Sequence, residues 1–381
     1  MKNNISLLVA LKNNLEYNKH FYKTTRELYP ELEICFSSYN SIDGTHEWLD
    51  SLNDPYTKTF HSPQQGIFSD NFNKATELAT KEYVAYAHND MVLAPGFIEN
   101  LEKHASPDTA VSYTTVEPPI FAGHIRPGKI IKDLGVELET FNKEELYKFA
   151  LEKQEEYKDK TEPGITFFMC IPRDKVLSIG GFDNLFSPMF CEDDDLILRF
   201  KLLGLNLITS LDSICYHFVS KTSRFSEDYK SKTQIIERNS NMNFIRKWGF
   251  RNSIHNKRYN KSLVINNCDF NLLSVLEPWG DKIYVDDNGE YLINQYITAE
   301  KDNTKYDLSK KIFNKKSNTP EGDIIIEFDG RLINQESFNI IQNLSDIITE
   351  SGEIGKFELD IFTITINDIK SYEKSLIKVG K

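Results

Sequence analysis

Glu82-Tyr83-Val84-Ala85-Tyr86-Ala87-His88-Asn89-Asp90 carries an apolar run straight into a polar end. The run reads as a strand whose last residues emerge from the sheet. Just upstream, residues 70–81 place Phe72, Ala75 and Ala79 on one helical face, with Ser69 as the expected N-cap. Further back, 5–11 is a continuous apolar run, as expected of a strand covered on both faces. Residues 14–29 read as a helix stopped before Pro30, 32–36 as a second strand, and 45–52 as another helix. Strand and helix alternate, which predicts an α/β fold with a Rossmann-like, mostly parallel sheet. Ligands of such sheets bind beyond the carboxyl ends of the strands. The 39–45 loop, with its Asp43-Gly44 turn, and His88-Asn89-Asp90 both fall there.

Downstream, Cys191-Glu192-Asp193-Asp194-Asp195-Leu196 opens an apolar stretch that ends at Gly204. Leu196, Phe200 and Leu203 recur at helical spacing, and glycine suits a helix C-terminus. The acids then occupy the first turn, where the helix dipole favours negative charge. Capping needs one or two acids, whereas like charges crowded together repel. The acidic run, following Gly180-Gly181-Phe182-Asp183, therefore reads as a place that receives a cation or a proton.

The intervening chain reads as loop-rich over 106–140, with Pro118-Pro119 and Arg126-Pro127-Gly128 as breakers. Residues 141–160 form a charged helical stretch, a solvated face or a flap over the sheet, and 165–171 is strand-like. Segments 207–209 and 214–216 read as two short strands, the second delivering His217, and 225–248 as a helix stopped at Gly249. From about 260 the texture changes. Strands are expected at 263–265, 282–285, 323–328 and 356–366, with a long loop over 299–322. The expected division is a domain over 1–259, with its catalytic elements within 1–225 and a helical extension over 225–259. A smaller α/β or α+β domain of undetermined role follows over 260–381.

Composition bounds the function. The formal net charge is −12, which argues against nucleic acid or an anionic membrane as the main partner. A phosphate-bearing small molecule remains compatible if a metal ion neutralises it. The cysteines (Cys35, Cys170, Cys191, Cys215, Cys268) follow no metal-finger spacing and read as free thiols of a reducing, cytoplasmic compartment. No apolar run approaches a membrane span. Homo-oligomerisation stays open.

Asp90, the Glu192–Asp195 run and His217 thus sit at separate strand or helix ends of one sheet. One carboxylate and one imidazole suit a Mn²⁺ or Mg²⁺ held mainly by substrate phosphates. Taken alone, His217, between Tyr216 and Phe218, also fits a packed core histidine.

The first 220 or so residues resemble a glycosyltransferase of the GT-A fold, similar to the inverting family 2. The matching stretches are the first strand, Asp43-Gly44-Thr45, Gly66 before a helix with Asn71 and Asn73, and the strand ending in His88-Asn89-Asp90. Pro95-Gly96-Phe97, Gly180-Gly181-Phe182-Asp183, Glu192-Asp193-Asp194-Asp195-Leu196 and His217 complete the series. The resemblance implies a nucleotide-sugar donor (UDP-, GDP- or dTDP-linked) and a hydroxyl acceptor on a glycan or related molecule. It assigns Asp90 to the metal, with His217 completing its protein ligands, and Asp193 as general base. Glu192 and Asp194 would bind the acceptor or orient the base. Asp43 and its loop would lie near the nucleoside, with Tyr39, Asn71 and His88 on the donor side. By their position just past His217, Lys221 and Arg224 are candidates to reach the diphosphate when a lid closes, and Arg126 in its Pro-Gly loop is a similar candidate for acceptor or phosphate contact.

The family's first acid of Asp-x-Asp is His88 here, and its acidic pair after the second strand is Ser38-Tyr39. Two other readings stay open. A sugar-phosphate nucleotidyltransferase would want a glycine-rich phosphate loop near the first strand, where Lys12-Asn13-Asn14 offers none. A catalytically inactive GT-A-like binding protein is the alternative that His88 keeps alive.

Overall fold

The computed structural model describes residues 4–123, 125–219, 230–286 and 289–379. The chain forms two compact units, Met1–Gln234 with Lys378–Lys381, and Ile235–Ile377.

Among the described residues the first unit is built on ten strands: β1 (Ile5–Leu11), β2 (Glu33–Tyr39), β3 (Thr57–Ser62), β4 (Tyr83–Ala87), β5 (Met91–Leu93), β6 (Thr109–Glu117), β7 (Lys129–Ile131), β8 (Thr161–Pro163), β9 (Met169–Pro172) and β10 (Asn206–His217). They form one sheet in the order β3-β2-β1-β4-β9-β6-β10-β5, with β7 on β6 and β8 on β10. β3, β2, β1 and β4 are mutually parallel, as are β6 and β10, while β9 and β5 run antiparallel to their neighbours. Helices α1 (Leu15–Leu28), α2 (Thr45–Ser51), α3 (Phe68–Leu78), α4 (Phe97–His104), α5 (Lys143–Glu156), α6 (Arg173–Ser178) and α7 (Glu192–Leu203) flank it. α3 packs on β1 and β2, and α4 and α5 pack on β10. The mostly parallel α/β expectation therefore holds.

Several local expectations do not. The loop-rich 106–140 contains β6, nine residues that are all buried. Its Thr and Ser side chains find partners inside: Thr114 Oγ1 donates to Ser210 O (2.9 Å), and Thr115 Oγ1 to Glu117 Oε1 (2.9 Å). Polar residues so satisfied are tolerated in a core strand. Segments 207–209 and 214–216 are one strand, β10, whose pairing with β6 shifts register between Thr209 and Ile214. Ser69 is not an N-cap. α3 starts two residues earlier, at Phe68, with Ile67 at the cap position, and Ile67 N donates to Asp70 Oδ2 (3.0 Å). The charged stretch 141–160 holds α5, which buries Leu146 and Ala150 against Ile214 and Tyr216. It covers the sheet through those two residues while its acids and lysines stay solvated.

The second unit carries α8 (Thr233–Trp248), β11 (Lys261–Asn266), α9 (Phe270–Leu276), β12 (Lys282–Val285), α10 (Gly289–Glu300), β13 (Ile312–Asn314), β14 (Ile324–Asp329), α11 (Gln335–Ser351), β15 (Gly355–Leu359) and β16 (Phe362–Ile366). Its sheet runs β13-β12-β11-β14-β16-β15, parallel through β14 and closed by the antiparallel pair β16 and β15. The stretch 299–322 is not all loop, because it contains β13, the parallel edge strand. Most of α8 falls with this unit rather than as an extension of the first. Inside the unit, Arg246 of α8 bonds Glu277 (2.7 Å) and Glu300 (3.0 Å), and Lys311 bonds Glu277 (2.6 Å). Among the described residues no helix is long and apolar enough to cross a membrane. All five cysteines are free.

Candidate active site

One strand end and two strand pairings assemble the site. β4 ends at Ala87, so His88, Asn89 and Asp90 lie just past the sheet. The antiparallel β5–β10 register sets His217 opposite Met91, and Phe218 N donates to Asp90 O (2.9 Å). The parallel β6–β10 register sets Tyr216 opposite Val116, which brings Glu117 beside His217. Residues 88, 90, 117 and 217 thus converge although the sequence scatters them.

His88, Asp90 and His217 each offer a ligand atom, all within 4.8 Å of one another. His217 Nε2 lies 3.4 Å from Asp90 Oδ1, and His88 Nδ1 lies 3.9 Å from the same oxygen. Asp90 and His217 are buried, and His88 packs against Phe167 (4.9 Å between ring centroids) and Phe168 (5.2 Å). Two imidazoles and a carboxylate converging on one point are a donor set suited to a divalent transition metal.

The charges explain one another. Burial pushes His88 down to about 4, so its ring is neutral at physiological pH. Burial would lower His217 too, but the charge and hydrogen bond of Asp90, with Glu117 on the other side, lift it to about 9. Glu117 lies 3.2 Å from His217 Nδ1, is bonded by Arg126, and has Lys129 Nζ at 3.5 Å. Burial works to raise the Glu117 carboxyl, yet His217, Arg126 and Thr115 hold it down at about 2.

The acidic run divides into separate environments. α7 begins at Glu192 after two consecutive residues with positive φ, Phe190 (75°) and Cys191 (65°), a strained entry of the kind found at functional sites. Glu192 is buried, and burial together with the neighbouring Asp193 charge raises its carboxyl well above the ordinary range. Asp193 is half-buried, and Asp194 is exposed. Asp195 is fully buried against Arg199 Nε (2.8 Å). Gly204 ends the helix at φ 90°, as its place in the sequence predicts.

Glu192 and Asp193 share a cleft of about 230 Å³ with His88, Asn89, Asn71 and Lys12. Its apolar wall comes from Phe68, Phe72, Phe167, Phe168, Met189 and Phe190. Asn89 Nδ2 donates to the buried Asn18 Oδ1 (2.6 Å), which fixes the turn after β4. The Gly180-Gly181 turn is tied to α3, because Phe182 N donates to Asn73 Oδ1 (2.7 Å) and Asn73 Nδ2 to Phe182 O (2.9 Å). Asn184 Nδ2 donates to Asp70 Oδ1 (2.7 Å), so both ends of the motif hold the cleft wall to α3.

The remaining sequence-predicted residues fall outside the cleft or outside the described chain. Asp43 accepts from Leu15 N (2.8 Å) through Oδ2 and from Thr45 Oγ1 (2.7 Å) through Oδ1, so it braces the loop against α1. The Tyr39 ring packs on Phe60 (5.3 Å) and covers Gly66, where a Cβ would collide with it. Arg126 bonds Thr115 Oγ1 (2.5 Å) besides Glu117, and its guanidinium lies 5.3 Å from the Phe168 ring centre. Lys221 and Arg224 lie outside the described residues. Glu117 is the residue that sequence reasoning missed. The available signal was the β-prone run Val111-Ser112-Tyr113-Thr114-Thr115-Val116 ahead of it.

The α/β sheet, with a histidine–aspartate cluster at its carboxyl edge beside an acidic helix start, agrees with the GT-A-like fold expected from the sequence. Residues 6–178 match the family profile "Glycosyl transferase family 2", so this part of the chain is similar to that family. Among curated proteins compared by sequence, none matches. Solved structures similar to it include the mannosyltransferase PcManGT from Pyrobaculum calidifontis in complex with GDP-Man and Mn²⁺, at 18% identity and TM-score 0.43 over 64% of this chain. The chain spans 63% of that protein. TarS 1–349 from S. aureus follows at 14% identity and TM-score 0.40, covering 66% of this chain and 76% of TarS. GalNAc-T7 with UDP, GalNAc and Mn²⁺ aligns at 11% identity and TM-score 0.41, over 56% of this chain and 43% of its own.

Proposed function

We propose that the protein is a metal-dependent, inverting glycosyltransferase that moves a sugar from a nucleotide-sugar to a hydroxyl of a glycan or related acceptor. The observation that carries this reading is the shared cleft, in which Asp193 at the start of α7 faces the same space as His88 at the metal cluster. A base on one side of a sugar and a site for its diphosphate on the other is the arrangement direct displacement needs, and direct displacement inverts the anomeric centre.

In this scheme Asp90, His217 and His88 hold the ion. A bound divalent ion supplies Lewis-acid stabilisation of the departing diphosphate. Two imidazoles favour Mn²⁺ over Mg²⁺, which prefers oxygen ligands. Asp193, half-buried at the α7 N-terminus, takes the proton from the acceptor hydroxyl. Glu192 turns a buried carboxyl toward the same cleft and binds an acceptor hydroxyl, while exposed Asp194 contacts the acceptor from the rim. Asn71 and Asn89 line the donor side, and the aromatic wall excludes water from the reacting centre.

The test is thermal stabilisation and donor hydrolysis across UDP-, GDP- and dTDP-sugars, with and without Mn²⁺. One nucleotide-sugar should raise the melting temperature only with metal, and Asp90→Ala should abolish the shift. Asp193→Asn should keep the shift and lose transfer. Stabilisation by no nucleotide-sugar with any divalent metal would leave the inactive, carbohydrate-binding reading in its place.

A further inference from the structure

The metal reading leaves the buried carboxylate beside the cluster, that of Glu117, with no part in the reaction. Glu117 sits at the end of β6, behind His217 as seen from Asp90. The two imidazole nitrogens of His217 point in opposite directions. Nε2 lies 3.4 Å from Asp90 Oδ1, and Nδ1 lies 3.2 Å from Glu117 Oε1. A carboxylate on Nδ1 requires the proton there, which leaves Nε2 with its lone pair toward the cluster once an ion binds. Glu117 is itself braced by Arg126, by Thr115 Oγ1 (2.9 Å) and by Lys129 Nζ at 3.5 Å. Arg126 in turn lies over Phe168, whose ring meets His217 edge-on at 5.0 Å. The imidazole is thus fixed on its Nδ1 side by a charge and on its face by a ring.

A plainer role for Glu117 is to neutralise Arg126 and Lys129 in a buried setting. That role does not require the His217 ring to turn Nδ1 to it, and it predicts no link to metal affinity.

We propose that Glu117 is the positioning residue of the metal site, holding the His217 imidazole so that Nε2 faces Asp90, with Arg126 and Lys129 keeping the carboxylate in place. The inference rests on the metal reading above and names the group outside the ligand set that sets its affinity. It also gives the Arg126-Pro127-Gly128 loop a task, since the loop supplies the cation that anchors Glu117.

The experiment is Mn²⁺ titration of the full chain, with free Mn²⁺ counted by electron paramagnetic resonance, with and without UDP or GDP. Wild type, Glu117→Gln, His217→Ala and the double variant are compared, with melting temperatures measured in EDTA as the folding control. Glu117→Gln keeps the side-chain shape and should bind Mn²⁺ about 10–100-fold more weakly. In the His217→Ala background the same change should cost nothing further, because the residue it positions is gone. Should Glu117→Gln fail to fold, Arg126→Lys reads the same coupling, with a smaller loss that also vanishes without His217. Equal Mn²⁺ affinity in wild type and Glu117→Gln, or an undiminished loss in the His217→Ala background, overturns the proposal. Absence of Mn²⁺ binding by wild type itself removes the metal reading and this inference with it.

Discussion

Asp195 and Arg199 close a 2.8 Å ion pair one turn apart on α7, and neither side chain reaches solvent. Arg199 spends its other donors on Ile179 O (3.3 Å) and Gly181 O (2.6 Å). The last acid of the run therefore serves the fold. It pins the acidic helix to the Gly180-Gly181 turn and leaves Glu192 and Asp193 to the cleft.

Removing one partner of a buried pair strands the other charge, which costs about 3–5 kcal/mol. Arg199→Met should lose that much in urea unfolding. Asp194→Asn, on an exposed side chain one position before Asp195, should stay within about 0.5 kcal/mol. Equal effects at 194 and 199 would contradict the division of labour along α7.

Gly181 has φ +67°, and a Cβ there would fall on the Asn73 carboxamide oxygen. Gly181→Ala should then cost about 1–3 kcal/mol through backbone strain and the lost Asn73–Phe182 bonds. Asn73→Ala breaks the same link from the other side. A double-mutant cycle on melting should show the two changes as strongly non-additive.

Much of the first unit was legible because the physics there is local. Periodic apolar residues announce β1, α1, α3 and β4, and a glycine after the last apolar residue announces the end of α7. Asp90 and the start of the acidic run stand out for the same reason. β6 was not legible, since its Ser112 and Thr114 can be buried only because distant parts of the fold satisfy them. Ser112 Oγ donates to Thr166 O, and Thr114 reaches Ser210 O, 96 residues away. Glu117 stayed hidden with that strand. Its meeting with His217 depends on the pairing of β6, β10 and β5, which no window of sequence contains. Asp43 shows the opposite case, a motif residue whose carboxylate oxygens are engaged by Leu15 and Thr45 in the fold.

In the second unit, Glu277 is fully buried and bonded by Arg246 and Lys311. Burial works to raise its carboxyl, but the two cations hold it at about 2, against an ordinary 4.5. A depressed carboxylate contributes stability that is full above about 4.5 and drains away as pH falls through 2. Glu277→Gln should therefore cost about 3–5 kcal/mol at about pH 7, where it leaves Arg246 and Lys311 facing a neutral group. The gap from wild type should narrow as the pH drops below 4.5. Urea titrations at stepped pH, followed by tryptophan fluorescence, measure it.

Glu192 carries the opposite sign. Its folded carboxyl is raised by burial first and by Asp193 second, so the folded state favours the neutral acid. Such a group adds most to stability below its unfolded value near 4.5, and that contribution is lost as pH rises through the folded value. Glu192→Gln mimics the neutral form at every pH. It should match wild type near pH 4 and melt higher than wild type by a margin that grows toward pH 8. Asp193→Asn lowers the same carboxyl by removing the adjacent charge, so in that background the Glu192→Gln advantage should shrink. A Glu192→Gln variant that melts lower than wild type at pH 8 would mean that the buried carboxylate is held charged, and a cation partner would have to be sought in the cleft. Transfer activity separates the two demands on this residue: a stabilised Glu192→Gln that still turns over binds acceptor through a hydrogen bond the amide can replace, whereas a stabilised but inactive one needs the carboxyl itself.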